Sequence, residues 1–110
     1  MVAYGILVVA ILLEVMATLM LPLTENFSKL FPTLALACLY IASFYLLTFV
    51  IKQIPLSIVY ASWSGVGIFL VALMSYELFG DVLRWQAVVG LVFIVIGVVL
   101  VNYFSAPSNY

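Results

Sequence analysis

A chain of 110 residues with 69% hydrophobic and 6% charged side chains falls outside the range of soluble domains, which keep roughly a quarter of their residues charged. A net charge of −1 without any histidine leaves no basic footprint for nucleic acid. The single cysteine, Cys38, lies inside an apolar run, so it forms no intrachain disulfide and indicates no metal cluster. The composition is that of an integral membrane protein.

Four apolar runs, at 4–21, 33–51, 56–76 and 85–104, each approach the ~20 residues needed to cross the hydrocarbon core. They predict an all-α membrane protein of four transmembrane helices, a single domain over 1–110. The first run has no basic leader and no small-x-small cleavage site, so it reads as a retained helix and not a secretion signal. It carries Glu14, the one formal charge deep within any of the four runs. An ionised carboxylate at that depth costs several kcal/mol, which makes it a proton relay, an ion site or a counter-ion for a cationic ligand. The alternative is a neutral acid hydrogen-bonded between helices. Residues three, four and seven positions away share its face: Leu7, Ala10, Ile11, Ala17, Thr18 and Leu21. Small Ala10 and Ala17 leave space beside the carboxyl for a helix or a ligand.

Pro22 should end the first helix, and Pro32 and Pro55 sit where a helix start tolerates a missing N–H. The second run aligns Tyr40, Ser43, Phe44 and Leu47; the third aligns Tyr60, Trp63, Ser64 and Gly67. These aromatic stripes are packing surfaces or, beside a buried acid with no buried base, the walls of a cation site. Gly65 and Gly67 lie mid-span and mark either a hinge or a close helix contact. Glu25, Lys29, Lys52, Glu77, Asp81 and Arg84 read as loop or span-end charges. In the fourth run Gly90 and Gly97 stand one heptad apart, near Ile94 and Val101, a pattern suited to helix contact across a subunit interface. Tyr4, Trp85, Tyr103 and Phe104 fall where an aromatic belt is expected, and the tail beyond, with Pro107, should fray.

Four spans put Lys52 on the side of both termini and Lys29 with Arg84 on the other, so the positive-inside bias amounts to one charge. The chain is therefore expected to insert in both orientations, which makes an antiparallel homodimer of eight helices possible. Four short helices do not easily enclose a drug-sized cavity, and transporters commonly place their sites between inverted halves.

The Glu14 helix, the Tyr40-x-x-Ser-Phe44 segment, Ile54-Pro55 followed by Tyr60-Ala-x-Trp63-Ser-Gly-Val-Gly67, and the glycine-spaced last helix resemble the small multidrug resistance family over essentially the whole chain. The resemblance implies a proton-coupled antiporter of the bacterial inner membrane that works as an antiparallel homodimer and expels lipophilic aromatic cations and quaternary ammonium compounds. It implies that Glu14 takes proton and substrate in turn. Ala10, Ile11, Thr18, Tyr40, Ser43, Phe44, Tyr60 and Trp63 would line the site, with Gly65 and Gly67 as the hinge. No cofactor is implied, the proton gradient supplying the energy, and no nucleotide-phosphate loop occurs in the chain. Three positions depart from the family pattern: Pro22 where a lysine is common, Asn26 where a glycine is common, and Ala17 in place of a glycine. The guanidinium-exporting branch often has tryptophan at the position of Ala17, so alanine there favours the polyspecific branch. Three other readings stand beside multidrug export: a guanidinium-type exporter, a non-transporting assembly subunit, and a heterodimer with a related chain.

Overall fold

The computed structural model describes residues 2–104. Four helices follow in order: α1 (Val2–Leu19), α2 (Leu30–Val50), α3 (Leu56–Phe79) and α4 (Trp85–Tyr103). A 3₁₀ turn, Leu21–Thr24, follows α1, and no strand occurs among the described residues. All four helices are long and apolar enough to span a membrane. The expected all-α, four-span architecture is therefore present, with boundaries within a few residues of those expected. Pro107 and the expected frayed tail lie outside the described residues.

Local chemistry explains the ends. Pro22 has no N–H and its ring obstructs a continuing helix, and α1 stops at Leu19 before entering the 3₁₀ turn. Thr24 holds this turn together: its buried hydroxyl donates to the Leu21 carbonyl at 2.8 Å and accepts from the Phe27 N–H at 3.3 Å. Glu25, Asn26 and Phe27 follow with φ of 47°, 63° and 67°, left-handed values that asparagine tolerates better than most non-glycine residues. Asn26 thus suits the left-handed conformation that it takes here. Lys29 and Glu25 pair across the loop at 3.3 Å, both well exposed. Pro32 is the third residue of α2, where an N–H would have no intrahelical partner. Pro55 caps α3, and Gly80, at φ 71°, ends it in the left-handed conformation. This carries α3 three residues beyond the expected limit at 76.

The chain divides into two compact units, Met1–Val50 and Ile51–Tyr110. In the first, α1 packs along α2. In the second, α3 packs on α4, yet α4 has no buried residue and α3 buries only Val59, Ser62, Gly65 and Gly67. Large apolar side chains such as Phe31, Ile41, Phe93 and Val99 are exposed on the helices. Such surfaces suit lipid or a further copy of the chain, not water.

Candidate functional site

In the first unit a line of polar groups crosses from α2 to α1. The Thr18 hydroxyl donates to Glu14 Oε1 at 3.1 Å and lies 2.9 Å from the Tyr40 hydroxyl. Thr18 has one hydroxyl proton; when Glu14 takes it, Tyr40 must donate in turn to Thr18. The result is a directed chain, Tyr40 to Thr18 to Glu14, that engages one oxygen of the carboxyl. Among the described residues no protein group donates to the other oxygen. Glu14, Thr18 and Tyr40 are all half-buried, so the group is held by the helix pair without being sealed into it.

The spacing behind this geometry is helical. Glu14 and Thr18 are four residues apart and therefore neighbours on one face of α1, while α2 brings in Tyr40 from 22 residues further along the chain. Nearer the start of α1, the Ser43 hydroxyl donates to the Ala10 carbonyl at 2.7 Å. Ser43 and Ala10 have no exposed surface and Ile11 has almost none. These three residues, expected to line a site, are therefore internal to the helix pair in this conformation, whereas Phe44 projects outward with 58% of its surface exposed. Ala17, also fully buried, leaves no space for a large side chain without displacing its neighbours.

The second unit carries Tyr60 and Trp63 on α3. Tyr60 is 71% exposed and Trp63 is half-buried. α3 runs as an unbroken helix through Gly65 and Gly67. A Cβ added to Gly65 would overlap a methyl group of Val98 and meet Ile94 at 3.4 Å, so this glycine occupies a close approach between α3 and α4. Gly67 has a looser neighbourhood, its nearest contact being Trp63 at 3.9 Å. Gly90 and Gly97 have nothing within reach of an added Cβ, which leaves their faces open on α4.

Two polar groups in the helices were not singled out from the sequence. Ser62, buried on α3, donates to the Ile58 carbonyl at 2.8 Å and accepts from the Asn102 amide at 2.6 Å. Asn102 also donates to the Val98 carbonyl at 2.9 Å. The available signal was an asparagine near the end of an otherwise apolar span, since polar side chains in such spans commonly bond across helices.

The family model for the Small Multidrug Resistance protein matches residues 2–94. The chain belongs to the small multidrug resistance family. It is 41% identical over 101 residues to the multidrug transporter EmrE of Escherichia coli strain K12, covering 92% of each chain. It is 39% identical over 104 residues to the quaternary ammonium compound-resistance protein QacE of Escherichia coli, covering 94% of each. A third relative, the nicotine metabolites export pump subunit NepA of Paenarthrobacter nicotinovorans, is 40% identical over 99 residues, covering 90% of this chain and 85% of NepA. With its four apolar helices, this member of the family is a multi-pass protein of the bacterial inner membrane.

Proposed function

We propose that the chain is a proton-coupled antiporter exporting lipophilic aromatic cations and quaternary ammonium compounds, and that Glu14 binds proton and cation in alternation. The observation that carries this reading is the half-buried Glu14 carboxyl within a membrane span, with Thr18, itself bonded to Tyr40, donating to one of its oxygens. A proton or an organic cation neutralises such a group, and either excludes the other. Relatives named for multidrug transport and quaternary ammonium resistance support the same substrate class. Ala10, Ile11, Thr18, Tyr40, Ser43, Phe44, Tyr60 and Trp63 are assigned to the site, and Gly65 with Gly67 to the movement that changes its facing. Aromatic faces attract a desolvated cation by about 2 kcal/mol or more.

The functional form is an antiparallel homodimer of eight helices, each chain contributing one four-helix transport domain over 1–110. The nearly even division of Lys29, Lys52 and Arg84 between the two sides supports dual insertion. The unburied α4, with Gly90 and Gly97 open, supports assembly through that helix. The energy comes from the proton gradient, without a cofactor and without enzymatic chemistry.

The test is proton release from detergent-solubilised protein when tetraphenylphosphonium is added at slightly alkaline pH. Wild type is expected to release protons and Glu14→Gln to release none. Protonation removes the charge that holds the cation, so affinity should rise with pH in wild type and stay level in the variant. Proton-coupled export by Glu14→Gln would overturn the assignment. Because one relative is named a pump subunit, pairing with a second related chain is the competing reading. It predicts that the purified chain alone releases nothing. Competition by guanidinium but not by bulky aromatic cations would instead mark the small-cation exporter.

A further inference from the structure

The contact between α3 and α4 has an apolar and a polar part. Ile94, Val98 and Asn102 recur at four-residue intervals and form one stripe along α4. Val98 and Ile94 close over Gly65. One turn earlier on α3, Ser62 and Asn102 tie the helices by hydrogen bonds: Ser62 donates to the Ile58 carbonyl, and the Asn102 amide donates to Ser62 and to the Val98 carbonyl. Ser62 is 5% exposed. Water therefore competes weakly for the Ser62 hydroxyl, and breaking its bond to Asn102 costs more than at an exposed site.

Tyr60 and Trp63 lie off the face of α3 that carries Ser62 and Gly65. At about 100° per residue, Trp63 points about 100° and Tyr60 about 160° around the helix axis from Ser62. Side chains at the helix rim stand about 5–6 Å from the axis, so a rotation of about 10° carries them about 1 Å sideways. That displacement exceeds the roughly 0.5 Å tolerance of a preorganised binding site. Gly65 under Val98 sets how close the helices come but leaves α3 free to roll, because methyl contacts have no preferred direction. The Asn102–Ser62 bond is directional and opposes the roll.

We propose that Ser62 and Asn102 are positioning residues that fix the rotation of α3 and so set how Tyr60 and Trp63 face a bound aromatic cation. The proposal rests on the export reading above. It makes Ser62 and Asn102 determinants of discrimination among cations without contact with any of them. Bulky cations that use both rings feel a roll of α3 most, and small ones held chiefly by charge feel it least. The proton competition at Glu14 belongs to a different helix pair and is unaffected.

The experiment uses the full chain reconstituted in proteoliposomes under an imposed pH gradient, comparing wild type, Ser62→Ala, Asn102→Ala, the double variant and Ser62→Thr. Tetraphenylphosphonium and tetramethylammonium serve as the large and small probes. Ser62→Ala and Asn102→Ala are each expected to raise KM for tetraphenylphosphonium about three- to tenfold, the scale of one interhelical hydrogen bond in a membrane. The maximal rate and the pH midpoint of proton release should hold. KM for tetramethylammonium should change less than twofold, the double variant should be no worse than either single one, and Ser62→Thr, which keeps the hydroxyl, should behave as wild type. If Asn102→Ala does not insert, Ser62→Ala, which removes a single oxygen, carries the test alone. Unchanged KM in Ser62→Ala, or equal losses on both probes with a shifted pH midpoint, would overturn the clamp while export stands. Wild type that moves neither probe would overturn the export reading and the clamp together.

Discussion

In Met1–Val50 the helices are joined by the polar groups assigned to the site, Tyr40 through Thr18 to Glu14 and Ser43 to Ala10. In Ile51–Tyr110 they are joined by Ser62, Asn102 and Gly65, while Tyr60 and Trp63 lie on other faces of α3. The difference has a practical meaning. Substitutions in the first unit disturb packing and chemistry together, whereas in the second the two can be separated residue by residue. The units also differ in burial: α1 buries Ala3, Leu7, Ala10, Ile11, Val15 and Ala17, and α4 buries nothing. A helix so placed owes its stability to lipid and to whatever else covers it.

The sharpest way to break the comparison is through the glycines of the second unit. Gly65→Val forces a branched side chain against Val98 and Ile94, an overpacking that costs about 1–3 kcal/mol. We expect a lower thermal midpoint in detergent, from disruption of the α3–α4 pair itself. A Cβ added at Gly97 meets nothing within 4 Å, so Gly97→Val has room to be accommodated. It should leave that pair intact and weaken only subunit association, read by cross-linking at graded protein-to-lipid ratios. Equal destabilisation by both variants, with no change in association, would show that the open face of α4 is not an assembly face.

A smaller effect tests whether the first unit is as integrated as its hydrogen bonds imply. Thr18→Val removes the hydroxyl between Tyr40 and Glu14 with little change of shape, and Tyr40→Phe removes the other end. Interhelical hydrogen bonds in membranes average about 0.6 kcal/mol and reach about 1.7. Each variant should therefore weaken cation binding by a few-fold, and the double variant should show clear non-additivity in a binding titration. Strictly additive losses would mean that the two hydroxyls act separately on the carboxyl.

Spans and turns were legible because they depend on short-range chemistry: hydrocarbon thickness sets helix length, Pro22 stops α1, and Gly80 takes the conformation that ends α3. Glu14 and its neighbour Thr18 were legible for the same reason, since four-residue spacing places them together on any helix. Less legible was anything decided by the partner helix. Ser43 shares its stripe with Phe44, yet the approach of α1 seals one and leaves the other exposed. Gly65 and Gly67 look equivalent in sequence, and only the position of Val98 separates them. The pairing of Ser62 with Asn102 spans 40 residues, and no local pattern specifies it.

The smallest predicted effect decides most about Ser43. Its hydroxyl bonds to the Ala10 carbonyl, which already accepts the Glu14 N–H in the helical ladder of α1. Ser43→Ala therefore strands no backbone group and should cost about 0.6 kcal/mol, one interhelical bond. Ser43→Thr should cost more, about 1–3 kcal/mol, because a methyl group is added where no surface is exposed. If Ser43 acts as seen here, as a tie between α1 and α2, Ser43→Ala lowers the thermal midpoint slightly and leaves the ranking of cations by affinity unchanged. If the helix pair opens during transport and exposes it, the same variant reorders the cations with no loss of stability. A changed ranking would identify Ser43 as a contact made in another conformation and would show that the α1–α2 joint itself moves in the transport cycle.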